Sequence, residues 1–451
     1  MRQFELTKSY LEELALAVAG DDRPFVDETV HHLHPADIAE ILNELETEEA
    51  MYVFRTLPQE LAADTLTHLD EEVQEDFLEA LSSKEIADKL EFMDSDDAAD
   101  LLSDMEDDRL QEVISQVENP EIGDDINQLL GYPEGTAGSL MATEFIKAHL
   151  EWPVNRCIVE MRRQAENVEK VYTIYVVDGQ EKLVGTLSLK SLLFASPKTL
   201  IADLYMEGAT RVKAMDDAEE AARMMEKYDL VVLPVVDDND RLIGRITIDD
   251  AVDVIREEAE KDLQRAHGIS LKVDSSDTVW KISKARIPWL LVALLGGILG
   301  AQVIGIYEEE LLIHPEMALF IPLIAAMGGN VGIQSSAIVV QGLASKSIQM
   351  SGMANQLVKE LGVGMISAVL CSALVFGYNA AATGNTDLGV TVSIALMSVI
   401  LFAACFGTFV PLMLYRYKID PALATGPFIT TANDILGVLI YFLVGRAMYG
   451  V

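Results

Sequence analysis

Five uncharged or nearly uncharged runs fill the last 164 residues of this chain, and they dictate its architecture: Pro288–Tyr307, Met317–Ser345, Leu361–Thr386, Leu388–Tyr415 and Pro421–Gly445. Each reaches the roughly 20 apolar residues that a helix needs to cross a bilayer. The fifth carries a single charge, Asp434. A carboxylate in mid-span costs a few kcal/mol on insertion scales, so it belongs beside an interior or a watery path. Asn433, Thr430, Thr431 and Gly437 give the same run an unusually polar face. Asp434 is therefore read as lining a route for cations; the plainer alternative is an Asp satisfied by a hydroxyl or backbone partner for packing.

Five is odd, so the two ends of this region fall on opposite sides of the membrane. Lys281, Lys284 and Arg286 precede the first run, Lys346 and Lys359 are assigned to the loop after the second, and Arg416 and Lys418 follow the fourth. Glu308, Glu309, Glu310, Glu316 and Asp387 occupy the other loops. Basic loops stay cytoplasmic, which puts the soluble part in the cytoplasm and Val451 outside a cell (plasma or inner) membrane. Arg446 is the exception. The second run contains Met327-Gly328-Gly329-Asn330-Val331-Gly332-Ile333-Gln334-Ser335-Ser336. Its glycines let helices approach closely, and Asn330 and Gln334 lie one turn apart on one face. Pro427 is expected to free a carbonyl toward the same path. An Asp with amides suits hydrated Mg²⁺, which keeps its water and takes few carboxylates. Soft metals would want His or Cys.

The formal net charge is −40, and only −3 of it lies from Pro288 onward. The remaining −37 disfavours nucleic acid, which needs a basic surface, and favours cations. Cys157, Cys371 and Cys405 make no disulfide framework, and residues 1–20 carry no secretory signal pattern. From His34 the chain repeats in twelves: HPADIAEILNEL, ETEEAMYVFRTL, PQELAADTLTHL, DEEVQEDFLEAL, SSKEIADKLEFM, DSDDAADLLSDM and EDDRLQEVISQV. Each block opens with a residue suited to a helix start. The spacing predicts stacked short helices with Leu45, Leu57, Leu69, Leu81 and Met93 in the seam. Asp96 and Asp100, one turn apart, are placed to share a hard cation with a facing domain. His31, His32 and His34 lack ligand-spaced partners and read as loop residues.

Two later stretches align at an offset of 59: Val176-Val177-Asp178 with Leu183–Leu189, and Val235-Val236-Asp237 with Leu242–Ile248. Each reads as strand, tight turn, strand and helix. They resemble a tandem pair of CBS (cystathionine-β-synthase) domains. That resemblance implies an adenosine nucleotide, ATP or a relative, held by Thr247 near phosphate and Asp250 on the ribose. The first copy has Ser188 and Ser191 at the matching places. A charged helix over Asp249–His267 and a linker with Asp274, Ser275 and Ser276 lead to the membrane.

The reading is a multidomain membrane protein: an all-α superhelical repeat domain (1–140), an α/β tandem CBS pair (141–200 and 201–252), a connecting helix and linker (253–287), and a five-helix transmembrane bundle (288–451). The assembled order, with Gly-Gly-Asn-x-Gly in the second run and Pro427 seven residues before Asp434, closely resembles the MgtE family of magnesium channels. The resemblance implies a homodimer with the pore on its two-fold axis and Asp434 of both copies holding hydrated Mg²⁺. Asn330, Gly329, Asn433 and Thr431 would stand around it. It also implies a gating helix at Asp249–His267 and regulatory Mg²⁺ at Asp96, Asp100, Asp216, Asp250, Asp253, Glu258 and Asp262. The expected function is a self-limiting channel, not an enzyme. The alternatives are a proton- or Na⁺-coupled divalent-cation carrier and, from another class, a CBS-regulated membrane sensor or enzyme without transport. An aspartyl protease would need a second mid-span carboxylate.

Overall fold

The computed structural model describes residues 4–450 except 166, 167, 169, 272, 274–276, 345–352, 383 and 425. Asp274, Ser275, Ser276 and Lys346 lie outside the described residues. The chain forms two compact units, Met1–Glu257 and Glu258–Val451.

In the first unit the twelve-residue period becomes seven helices: Pro35–Glu44, Thr47–Thr56, Gln59–Thr67, Glu71–Ala80, Ser83–Leu90, Ser95–Leu102 and Asp107–Ser115. Each starts twelve residues after the one before, one position past the first residue of its block. The first residue of each block offers its carbonyl to the helical amide four residues on, and at Ser82 the hydroxyl also takes the Glu85 amide while the Glu85 carboxylate takes the Ser82 amide, a complete capping box. Alternate helices pack on one another, as in a superhelical stack. Leu57, Leu69 and Leu81 are buried in the seam, while Leu45 and Met93 pack against it partly exposed. His34 caps the first of these helices by accepting from the Ala36 amide.

The duplicated segment folds as two small sheets of like topology. Lys147–His149 runs parallel to Ile174–Val177, which pairs antiparallel with Leu183–Leu187. Val212–Lys213 runs parallel to Val232–Val236, which pairs antiparallel with Leu242–Thr247. The register slips between Val176 and Val177 in one copy and between Val235 and Val236 in the other. Glu181 and Asp240 both take positive φ in the turn that follows. Asp178 and Asp237 accept backbone amides across those turns, which fixes the hairpin geometry twice over. The helix Ile248–Ala266 leaves the second sheet.

Among the described residues of the second unit, five helices are long and apolar enough to span: Val279–Ile306, Pro315–Ala344, Met353–Ala382, Thr386–Arg416 and Pro427–Tyr449. The first begins nine residues before Pro288, so Lys281, Lys284 and Arg286 ride on its opening turns. The third begins at Met353, which moves Lys359 from a loop into a helix. The fifth begins at Pro427. Pro427 therefore does not free a carbonyl in mid-helix. At the first helical turn it has no amide to lose, and the Gly426 carbonyl accepts from the Thr430 amide and hydroxyl.

Candidate ion path and sensor carboxylates

The second and fifth spanning helices meet along the glycines of the second run. A carbon added at Gly329 would sit 3.3 Å from Thr430 Cγ2 and 3.6 Å from Asp434 Oδ1; one added at Gly332 would overlap the Asn433 amide. Gly407 on the fourth helix abuts the Gly332 backbone, and Gly296 on the first abuts Thr431. Small residues allow these approaches and hold Asp434 against backbone rather than against a side chain. Asn330 is exposed on the single chain, Asp434 and Thr431 are partly exposed, and Asn433 is buried at 1 % relative exposure with neither amide atom partnered. The structure thus brings Gly329, Thr430 and Asp434 together. It turns Asn433 inward to Gly332.

A second carboxylate lies among these helices. Glu360, eighth residue of the third helix, is 3 % exposed and accepts from Ser335 Oγ at 3.2 Å. Starting that run at Leu361 hid it. The presence of Lys359-Glu360 just before an apolar stretch is the signal that a longer helix would have used.

The end of Ile248–Ala266 is seated on the start of the fifth helix. Gly426, at φ 55°, approaches the Ala266 carbonyl so closely that a side chain would collide with it. Arg265 pairs with Asp420 at 3.1 Å. Glu258 and Asp262 face Lys261 and Arg265 on their own helix, at 3.0 and 3.8 Å.

In the first unit, the helix Ser95–Leu102 packs on the second CBS sheet through Ala99, in an apolar cluster with Met225, Leu233, Ile246 and Ala251. This packing brings like charges together. Asp96, 8 % exposed, is held well above the ordinary carboxylate range by burial and by Asp250. Burial and Asp250 push Asp97 up to about 7 and Asp100 to about 6; Asp250 itself rises to about 6, chiefly by burial. Asp97 and Asp100 keep exposed edges, so water screens them and Asp96 and Asp250 weigh more. Asp253 is exposed beside Asp250. Asp216 is exposed in a turn, where it accepts the Lys213 amide at 2.8 Å.

Thr247 and Asp250 are spent on each other: the Thr247 amide and hydroxyl donate to Asp250 Oδ2 at 3.0 and 2.6 Å. That carboxylate caps its helix and faces Asp96, an environment for a cation rather than a phosphate. Among the described residues no three His, Cys, Asp or Glu side chains stand at direct metal-ligand geometry.

One consequence is measurable without transport. Carboxylates whose folded values are raised bind more protons folded than unfolded between about pH 4 and 7, so stability falls as pH rises through that window. The full chain in chelator is expected to melt lower at pH 8 than at pH 5.5. Millimolar Mg²⁺ should remove most of the difference, and Asp250→Asn should flatten it. A pH slope that Asp250→Asn leaves unchanged would assign the effect to other carboxylates.

A five-helix membrane unit with a carboxylate in its glycine seam, joined to a CBS pair and an acidic helical repeat, is the architecture of a membrane transporter with large soluble domains. Family models agree along the chain: MgtE intracellular N domain over residues 33–135, CBS domain over 137–198 and 201–257, and MgtE divalent cation transporter over 321–444. The magnesium transporter MgtE of Bacillus subtilis (strain 168) is 31% identical over 322 residues, 71% of each chain. The crystal structure of the soluble part of a magnesium transporter shares 30% identity at a TM-score of 0.50, covering 56% of this chain and 99% of that one. The cytosolic domain of the Mg²⁺ channel MgtE in complex with ATP shares 33% identity at a TM-score of 0.49, covering 54% and 99%. The chain belongs to the MgtE family of magnesium transporters.

Proposed function

We propose that this protein is a Mg²⁺-selective channel that imports magnesium and is shut by the ion it admits. The observation that carries the reading is Asp434 held against the backbone at Gly329, with Asn330 exposed on the neighbouring face. Two copies related by a two-fold axis would set two such carboxylates across one path, with Asn330 and Thr431 around them. That arrangement suits a hydrated divalent ion.

Regulation follows from the other carboxylates. At low cytoplasmic Mg²⁺, repulsion among Asp96, Asp97, Asp100 and Asp250 loosens the helix Ser95–Leu102 from the CBS pair, and the pore opens. At high Mg²⁺ the ion binds the docked state better and shifts the population toward it. Asp253, Glu258 and Asp262 extend the anionic surface along Ile248–Ala266, whose end abuts Gly426 two turns before Asp434. Asp216 stands at the edge of the same domain. The orientation with soluble domains in the cytoplasm and the C-terminus outside rests on the loop charges.

Reconstituted protein in a planar bilayer is expected to give unitary Mg²⁺ currents that vanish as Mg²⁺ on the side of the soluble domains rises to millimolar levels. Uptake that requires a counter-gradient of H⁺ or Na⁺, with no unitary steps, would assign the coupled carrier instead.

A nucleotide is a second ligand of the CBS pair in this reading. Between the two copies a cavity of about 10 Å³ is lined by Lys170, Tyr172, Tyr175 and Arg245. Tyr175 Oη and Arg245 Nε are buried there without partners. The cations at Lys170 and Arg245 support a phosphate position on this side, while the hydrogen bonds between Thr247 and Asp250 leave those two less available to it. The cavity holds about one water, so ATP binding would have to open it. Calorimetric titration with ATP, weakened by Tyr175→Phe, tests this.

A further inference from the structure

Arg245 is a cation built into an anionic interface. It lies on the strand Leu242–Thr247. Its backbone is fixed by a reciprocal pair of hydrogen bonds with Ala142, at 2.9 and 2.8 Å. The residue is 4 % exposed. Nη2 donates to Asp94 Oδ2 at 3.4 Å, Nη1 to the Lys170 carbonyl at 3.4 Å, and the guanidinium stands 5.8 Å from the Tyr172 ring centre. Asp94 is the N-cap residue of Ser95–Leu102, the helix that carries Asp96, Asp97 and Asp100. The next residue is clasped as well: Ser95 Oγ donates to Glu144 Oε2 at 2.9 Å and accepts the Thr143 amide at 2.9 Å.

We propose that Arg245 is a positioning residue that holds the start of the sensor helix on the second CBS domain without any metal, and thereby sets the Mg²⁺ concentration at which docking is completed. Its charge is permanent and its planar fork holds several acceptors at once. Arg245 is the buried member, while the Asp94 side chain keeps 31 % exposure, so removing Asp94 leaves a buried guanidinium with one acceptor fewer, and the contact is sensitive to substitution. The contribution is present at every Mg²⁺ level, whereas bridging ions add theirs only as they bind. Docking therefore begins from a partly held state, and fewer ions are needed to finish it. The role assigned to Arg245 concerns docking; only its effect on flux rests on the proposed gate.

The test uses the full chain in detergent, free of nucleotide, with amide hydrogen exchange of residues 95–102 followed against Mg²⁺. Parallel influx measurements use liposomes. Arg245→Met is expected to raise the Mg²⁺ midpoint of protection about threefold or more, and Arg245→Lys by less. In an Asp94→Asn background, Arg245→Met should move the midpoint by less than about 1.5-fold, because the pair is already gone. An unchanged midpoint in Arg245→Met, or an equal shift with Asp94→Asn, overturns the proposal. If Arg245→Met fails to fold at saturating Mg²⁺, the Arg245→Lys midpoint decides, and no shift there overturns it. A shift in protection that influx does not follow leaves Arg245 in place and sinks the gate.

Discussion

Asp434→Ala is expected to lower Mg²⁺ influx through reconstituted protein roughly a hundredfold or more. The carboxylate supplies the formal charge of the fifth spanning segment above its last turn, and the Gly329 backbone beside it offers no substitute. Losing the charged partner of an ion costs about 3 kcal/mol at the upper end of the usual range, which is a little over a hundredfold in a rate. Asp434→Asn keeps the shape but removes the charge and turns one acceptor oxygen into an NH2 donor, so it should fall nearly as far. Asn433→Ala should behave differently, since Asn433 is buried against Gly332. Its loss should lower thermal stability or leave the fold unchanged, with far less effect on ion dependence. Isotopic influx with matched protein levels measures all three. Near-normal flux in both Asp434 variants would reduce that residue to a packing polar.

The second large effect is regulatory. Asp96→Asn combined with Asp250→Asn should make influx nearly insensitive to Mg²⁺ on the side of the soluble domains. The difference between chelator and millimolar Mg²⁺ should shrink to less than about twofold. Burial raises the proton affinity of both carboxylates, and the charge of Asp250 raises that of Asp96 further. Both the repulsion that opens the dock and the ion bridges that close it depend on these charges, so neutral side chains remove both. The remaining level of influx reports which was larger. High influx means bridging ions supplied most of the docking energy. Low influx means repulsion supplied most of the opening. A variant that keeps full shutoff would place the sensor elsewhere.

Much of this protein was legible in its sequence, and the particular elements show why. The twelve-residue period located seven helix starts because the first residue of each block offers its carbonyl to the helical amide four residues on, to which His34 and Ser82 add a side-chain cap. The 59-residue offset marked two like hairpins, and the structure repeats the register slip and the positive φ of Glu181 at Asp240, since tight turns are set by residues near in sequence. Span ends were less legible. Charge marks where a helix leaves lipid, not where its hydrogen bonding stops, so Lys359 and Glu360 fell outside a helix that begins at Met353. Pro427 was misplaced for the related reason that its effect depends on which turn it occupies.

By itself the sequence determined that this is a five-span membrane protein with an acidic soluble part. It also supplied Asp434, Asp96, Asp100 and Asp250 as the residues with chemistry to offer. Length, hydropathy and local caps act over a few residues, so one chain is enough to read them. Only the tertiary structure decided the partners. It set Asp434 on Gly329 and turned its neighbour Asn433 away, pressed Asp96 toward Asp250, and buried Glu360 on Ser335. It also placed Arg245 beside Asp94, 151 residues away. Those pairings arise from packing between distant segments, where burial and low dielectric give a charge its meaning, and nothing in the local sequence encodes which charge will be buried against which.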